Sequence, residues 1–249
     1  MLVVAHISDT HFNGTDRGRD RITAVLDYIN RRADGIDVLV VTGDIADSGS
    51  RAEYEEAAAT LQSPLPMLVL PGNHDSRGDF GDLLLSDPPE SGPLNNARTI
   101  AGALFLMCDS SIPGQNEGFL DDATITWMDA QISDTGPHVP VFVSFHHPPV
   151  TLQMPFMDTI RQTGEERIIA LVDKHPNIVA FLCGHAHTGA VTAFAGRPLC
   201  LAPGVSSTLN LPFEGPDVIN DSQPPGLAFH VYSEGRVITH FRAVPVAGE

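Results

Sequence analysis

The sequence predicts an α/β fold with parallel strands joined by crossover helices, and three patterns carry that expectation. Short apolar runs alternate with amphipathic stretches through most of the chain, as in strand–helix–strand units. The apolar runs stop abruptly on Asp, Asn or His, and polar clusters at the carboxyl ends of parallel strands are where such sheets build sites. Towards the end the alternation gives way to paired apolar runs around short Gly-containing turns, which read as antiparallel hairpins extending a second sheet.

The first run, Leu2 to Ile7, is rich in Val and Leu and reads as a buried strand closed by Ser8-Asp9-Thr10-His11. On extended backbone, residues two apart face one side, so Asp9 and His11 can point at one object. Asp20 to Ala33 carries Ile22, Val25, Leu26 and Ile29 at helical spacing and stops at Asp34-Gly35. Val38 to Val41 is the next strand and runs into Thr42-Gly43-Asp44-Ile45-Ala46-Asp47. Ser50 can cap a helix with Tyr54, Ala57, Ala58 and Leu61 on its apolar face. Pro64 and Pro66 precede the strand Met67 to Leu70, which ends on Pro71-Gly72-Asn73-His74-Asp75.

Arg77 to Ala97 holds several Pro, Gly and Asn residues and reads as a short helix around Phe80, Leu83 and Leu84 followed by loop. Ala103 to Met107 is a strand, with Asp109 as a turn residue beyond it, and Asp122 to Ile132 a helix. Val139 to Phe145 is a strand leading into His146-His147-Pro148-Pro149, whose prolines set the exit direction. Thr163-Gly-Glu-Glu166 fits a capping box for a helix through Ile168, Ile169, Leu171 and Val172. Ile178 to Leu182 ends on Cys183-Gly184-His185-Ala186-His187. Val191 to Phe194 with Pro198 to Leu201, and Leu227 to Tyr232 with Val237 to Phe241, are the two hairpins, separated by a proline-rich loop from Leu211 to Pro225. No linker or repeat divides the chain, so residues 1–249 read as one domain.

Composition narrows the function classes. A formal charge of −17 disfavours a duplex nucleic acid or an anionic membrane as partner, since both call for a positive surface. If the substrate carries phosphate, something other than Lys and Arg must attract it. Cys108, Cys183 and Cys200 lie in or beside apolar runs without Cys-x-x-Cys spacing, as buried reduced thiols do. The N-terminus has neither a basic leader region nor an apolar span, so a cytoplasmic location is expected.

Collected together, the strand-end residues are Asp9, His11, Asp44, Asn73, His146, His185 and His187. Carboxylate and amide oxygens mixed with imidazoles suit two divalent transition-metal ions, iron or manganese in the first place and zinc or cobalt as alternatives. Seven ligands exceed the need of one tetrahedral ion and match two if a carboxylate bridges. Such cations would supply the positive charge that the acidic surface lacks.

Asp9-x-His11, Gly43-Asp44-x-x-Asp47, Gly72-Asn73-His74-Asp75, His146-His147 and Gly184-His185-x-His187 together resemble the signature blocks of the calcineurin-like metallophosphoesterases. The blocks run from residue 9 to residue 187 in that family's order. The resemblance implies a four-layer α/β/β/α sandwich with mixed sheets flanked by helices. It implies that Asp9, His11, Asp44 and His187 hold one metal and that Asp44, Asn73, His146 and His185 hold the other, with Asp44 shared. It implies in-line attack by a metal-bridging hydroxide without a covalent intermediate. His74 would be a catalytic non-ligand, oriented by Asp47, and Asp75 a supporting residue.

Within the family, Ser48-Gly49 stands where the serine/threonine protein phosphatases have Arg-Gly, and Asp47 where purple acid phosphatases have Tyr. Asp9-Thr10-His11-Phe12, His146-His147-Pro148-Pro149, Met157-Asp158 and Cys183-Gly184-His185-x-His187 look like the bacterial class III cyclic-nucleotide phosphodiesterases and the neighbouring glycerophosphodiesterases. The expected substrate is therefore a small phosphodiester, 3′,5′-cyclic AMP first and a glycerophosphodiester as alternative. Loops 110–118, 151–163 and 205–225 are candidates for the pocket walls. A non-catalytic protein scaffold, known in this fold where ligands are lost, is disfavoured because all seven ligand positions are filled. A homodimer is compatible with the sequence.

Overall fold

A computed structural model of the protein describes residues 1–86, 88, 89 and 91–248. Asp87 and Glu90, within the segment Arg77–Ala97 expected as a short helix followed by loop, and Glu249, the last residue of the expected domain, lie outside the described residues. The first half runs β1 (Leu2–Ile7), α1 (Asp16–Asn30), β2 (Val38–Thr42), α2 (Arg51–Thr60), β3 (Met67–Leu70), α3 (Arg77–Leu84). The second runs β4 (Asn96–Ile100), β5 (Ala103–Met107), α4 (Asp122–Thr135), β6 (Val141–Ser144), α5 (Glu165–Lys174), β7 (Ile178–Cys183), β8 (Ala190–Phe194), β9 (Arg197–Leu201). Two long strands, β10 (Gly226–Ser233) and β11 (Arg236–Ala243), close the chain.

Of the two large sheets, one has the order β11-β10-β1-β2-β3 and the other β8-β9-β7-β6-β5-β4. Side-chain alternation divides each strand between two cores. Ala5, Ile7, Leu39, Val41 and Val69 of the first sheet pack on Ile22, Val25 and Ile29 of α1, on Tyr54 of α2 and on Phe80 of α3. Their alternate neighbours, Val4, Val38, Val40, Leu68 and Leu70, meet Phe105, Phe142, Ala180 and Leu182 of the second sheet. That sheet's other face, with Leu104, Val141, Val143 and Leu199, packs on Met128 of α4 and on Ile168 and Leu171 of α5. Three cores between four layers make the α/β/β/α sandwich. The central strands are apolar on both faces because both faces are covered.

The structure departs from several sequence expectations. Helix α1 begins earlier, where Thr15 takes the N-cap and its side chain accepts from the Gly18 amide. The capping box at Thr163 does not form: Gly164 is the N-cap, in left-handed conformation, and no side chain caps it. Asn96 and Ala97, expected at the end of a loop, instead open an antiparallel edge strand, Asn96–Ile100, beside β5. Polar residues and a half-exposed face hide such a strand from pattern reading. The two hairpins also separate. β8 and β9 extend the second sheet, whereas β10 returns to pair antiparallel with β1 in the first. Both turns place two residues at positive φ, Ala195 and Gly196 (48° and 71°) and Glu234 and Gly235 (53° and 76°), as a two-residue hairpin turn requires. No helix among the described residues is long and apolar enough to cross a membrane. All three cysteines are buried and free.

One polar chain crosses the interior between the sheets. Thr42 Oγ1 lies 2.8 Å from His6 Nε2, and His6 Nδ1 lies 3.0 Å from His230 Nε2. His230 Nδ1 is 2.9 Å from Thr239 Oγ1, which in turn is 3.3 Å from Cys200 Sγ. Burial lowers the pKa of His6 well below its ordinary value, with His230 adding to it, and burial lowers His230 to about 3. The unfolded chain takes up these protons near pH 6.5 while the folded chain stays neutral. The contribution of this pair to stability is therefore complete above about pH 6.5 and falls as pH drops towards 3, by up to about 1.4 kcal/mol per pH unit for each histidine. Chemical denaturation between pH 7 and pH 5 should show a shallower loss of stability in a His6→Gln/His230→Gln variant than in the native chain. Equal slopes would show that the pair does not titrate on unfolding.

Candidate metal centre

The sequence-predicted residues meet where the carboxyl ends of β1, β2, β3, β6 and β7 converge. They do so on strained backbone. Asp9, His11, Asp44, His185 and His187 all have positive φ, at 55°, 43°, 48°, 70° and 51°. Asp9 and His11 therefore do not share a face by the alternation of an extended strand, as their spacing predicts. Both side chains reach the cluster because the chain turns through left-handed conformations after β1, each disfavoured for a residue with a Cβ.

Hydrogen bonds between strand ends hold these turns. The Asp9 amide donates to the Gly43 carbonyl (3.1 Å) and the His11 amide to the Asp44 carbonyl (3.0 Å). Asp75 ties the third turn to the second. Its carboxylate accepts from the amides of Ile45 (3.1 Å), Ala46 (3.0 Å) and Gly72 (2.9 Å) and from the Tyr54 hydroxyl (3.0 Å). Burial, with Asp44 nearby, pushes the Asp75 pKa up to about 6. It is a structural clamp. Asp109 is likewise a buried anchor, accepting from Arg77 Nε (2.7 Å) and the Leu94 amide (2.9 Å).

Asp44 lies at the centre. Its Oδ1 accepts from the His74 amide (3.0 Å), and its Oδ2 lies 3.2 Å from His146 Nε2 and 3.6 Å from His11 Nε2. Burial opposes its charge, but His146, His11 and His74 outweigh burial and hold its pKa well below the usual carboxylate range. Burial also opposes charge on His146, yet Asp44, Asp9 and the Thr42 carbonyl hold it up at about 9. Asp9 Oδ1 accepts from the His185 amide (3.1 Å) and lies 3.5 Å from His187 Nε2. Its Oδ2 is buried and has no hydrogen-bond partner.

The imidazoles share one design. His146 Nδ1 donates to the Thr42 carbonyl (2.6 Å), His187 Nδ1 to the Ser207 carbonyl (3.2 Å) and His185 Nε2 to the Ile160 carbonyl (3.1 Å), while His11 Nδ1 pairs with Asp47 Oδ1 (3.1 Å). The remaining nitrogens turn inward. His11 Nε2 and His187 Nε2 stand 3.1 Å apart, and His185 Nδ1 is 3.3 Å from His146 Nε2. Outer carbonyls and carboxylates that fix the tautomer and aim the other nitrogen are what metal-ligating histidines have. The orphaned Asp9 oxygen and the mixed oxygen and nitrogen donors point the same way, so the residues present fit divalent transition metals. Asp9, His11, Asp44 and His187 form one group able to hold an ion, and His146 and His185 belong to a second.

That second group includes His147, which sequence reasoning set aside. Its Nδ1 lies 2.8 Å from Ser110 Oγ and its Nε2 3.1 Å from Asn73 Oδ1, so it holds the amide that faces the cluster. Only its adjacence to His146 in the sequence could have flagged it. Asp47 reaches His74 differently from expectation. Its carboxylate turns to His11, and its backbone carbonyl accepts from His74 Nδ1 (2.6 Å). A cavity of about 700 Å³ opens above the cluster. Asn116, Phe156, Ile160, Ser207 and Val218 line it, so each of the three loops expected as walls contributes. Arg17, from α1, lines it as well and donates to the Asp221 carbonyl (2.7 Å).

The family model for calcineurin-like phosphoesterases matches residues 2–189. The chain belongs to that family. This metallophosphoesterase is 33% identical over 244 residues to a glycerophosphodiester phosphodiesterase, GpdQ, of Enterobacter lignolyticus, covering 92% of this chain and 86% of the relative. It is 29% identical over 223 residues to a cAMP/cGMP dual-specificity phosphodiesterase of Mycobacterium tuberculosis, covering 84% of this chain and 69% of the relative. Among solved structures, a dimetal phosphatase from Danio rerio superposes with a TM-score of 0.72 at 15% identity, covering 97% of this chain and 96% of that one. That likeness shows the metallophosphoesterase fold alone.

Gly72 tests how tightly the centre is built. A Cβ there would lie 2.2 Å from Asp44 Oδ1 and 2.8 Å from His146 Nε2. Gly72→Ala should displace the Asp44 carboxylate and weaken manganese binding by about 10- to 100-fold. Calorimetric titration of metal-free protein checks it, and unchanged affinity would show that the centre tolerates the shift.

Proposed function

We propose that the protein is a metal-dependent phosphodiesterase formed by a single domain, hydrolysing small phosphodiesters, with 3′,5′-cyclic nucleotides as its first substrate class. The inward convergence of four imidazoles and two carboxylates beneath an open cavity carries this reading. Asp9, His11, Asp44 and His187 would hold one divalent ion, and Asp44, Asn73, His146 and His185 the other. When bound, the ions supply Lewis acidity to the phosphoryl oxygens and lower the pKa of water to about 7. They also supply the positive charge that draws a phosphodiester to a protein of net charge −17.

The chain's own residues orient and move protons. His74 lines the cavity with Nδ1 tied to the Asp47 carbonyl, which leaves Nε2 to contact a phosphoryl oxygen or protonate the leaving alkoxide. Asp47 serves His11 through its carboxylate and His74 through its carbonyl, so it acts as a positioning residue for both. Asn73 presents its amide oxygen, steadied by His147. Phe156, Met157, Ile160 and Val218 give the cavity an apolar wall suited to the face of a purine. The glycerophosphodiesterase relative, more similar and covering more of the chain than the cyclic-nucleotide one, favours a glycerophosphodiester as the second reading.

Asp44→Ala should lower kcat/KM by at least about 100-fold even with metal in excess, because it removes the shared carboxylate. Near-native turnover in a metal-replete variant would refute the assignment. His74→Ala should lower kcat by about 100-fold or more while metal content by elemental analysis stays unchanged. Loss of an ion in that variant would mean that His74 is a ligand. Steady-state comparison of 3′,5′-cyclic AMP with glycerophosphoethanolamine on manganese-loaded protein ranks the two substrate readings.

A further inference from the structure

A second cavity of about 260 Å³ adjoins the one above the metal centre. The two share Phe156, Met157, Leu209 and Val218, so a group anchored at the centre passes from one to the other along apolar side chains. Beyond these four, Met154, Leu211, Pro212 and Pro216 add apolar surface to the lining of this open annex. Phe156 and Val218 are 58% and 46% exposed. The fold therefore leaves large apolar side chains facing solvent beside a polar centre, as binding grooves do.

The annex is preformed. Thr208–Leu209 and Ile219–Asn220 pair antiparallel at its base, and the Asn210 amide donates to the Val218 carbonyl (2.9 Å). The Leu211 amide donates to Glu214 Oε2 (2.7 Å), and Arg21 ties the far end of the loop to α1 through the Gln223 carbonyl (2.8 Å). Walls already ordered by prolines and hydrogen bonds lose little entropy when a ligand binds.

Its chemistry selects the occupant. The Asn210 side chain already donates to the Asp217 carbonyl (3.0 Å) and accepts from Asn220 (2.8 Å). Asn210 and Asp217 are the only polar side chains among the described residues of its lining, so a nucleobase edge or a sugar hydroxyl packed on this mostly apolar wall would exchange hydrogen bonds to water for few partners. Asp217 on the lining disfavours a second anionic group. An alkyl chain meets neither objection. We propose that the annex is a subsite for the unbranched alkyl group of an alkyl phosphodiester whose phosphorus lies at the metal centre. The inference rests on the phosphodiesterase reading.

The test compares methyl and octyl p-nitrophenyl phosphate on manganese-loaded full-length protein. In both, water adds to phosphorus, the P–O bond to p-nitrophenolate breaks, and an alkyl phosphate is released, so only the alkyl group differs. The octyl ester should exceed the methyl ester in kcat/KM by about 20-fold or more, a modest share of what burying the added methylenes can yield. Pro216→Asp and Leu211→Asp, each charging the annex without touching the cavity at the centre, should bring that ratio to within about 3-fold. Each ratio is taken within one protein, so a general loss of folded enzyme cancels, and the exposed Pro216 guards against a core defect at Leu211. In a readout without turnover, octyl phosphonate should raise the melting temperature of the native chain more than methyl phosphonate does, and equally little in Pro216→Asp. A native ratio near one with good hydrolysis of the methyl ester overturns the annex and leaves the phosphodiesterase reading standing. A high ratio that survives both substitutions places the chain elsewhere and also overturns it. Hydrolysis of neither ester overturns the phosphodiesterase reading and the annex with it.

Discussion

The buried carboxylate of Asp44 is the constraint that organises this molecule. An ionised carboxylate out of water costs several kcal/mol unless it is paired and hydrogen-bonded. Asp44 is 2% exposed, and its compensation comes from three directions: the His74 amide, the His146 imidazole and, more distantly, the His11 imidazole. Each partner sits at the end of a different strand. The site therefore exists only when the strand ends are brought level, and the parallel pairing of β1 with β2, of β2 with β3 and of β6 with β7 brings them there. Two sheets packed face to face place His146 and His185, from the second, against Asp9 and Asp44, from the first.

The strained turns follow from the same demand. An extended strand end sends successive side chains to opposite faces. Asp9 and His11, Asp44, and His185 and His187 reach one locus only because the backbone coils tightly into positive φ at those residues. Such conformations persist where the surroundings over-determine them. Here the over-determination is visible in the interlocked amides and carbonyls of the first two turns, in the four donors converging on Asp75, and at Gly72, where the chain passes too close to Asp44 for a side chain.

Electrostatics gives the acidic surface a local exception. The cluster's own side chains hold charges in tension: Asp44 kept ionised, His146 held up at about 9, and His185 and His187 lowered by burial. Imidazoles must be neutral to ligate, so a bound ion would displace the protons that the carboxylates attract. Positive charge would then be concentrated by geometry at one point, rather than spread over a surface as lysines and arginines would spread it.

Much of this was legible along the chain. Periodicity marked the helices and all but one of the main strands, and the abrupt stop of apolar runs on Asp, Asn and His marked the strand ends that carry the cluster. Those signals are local, since covering both faces of a central strand demands a run of apolar residues wherever that strand ends up in space. Other features depend on residues remote in sequence. Asn96–Ile100 is a strand because β5 offers it an edge. The last hairpin joins the first sheet because β1 has a free flank there. Asp47 spends its carboxylate on His11 and its carbonyl on His74, and His147 faces Asn73 across a gap of 74 residues. No period encodes such pairings. They are settled by which buried donors and acceptors must satisfy one another once the layers close.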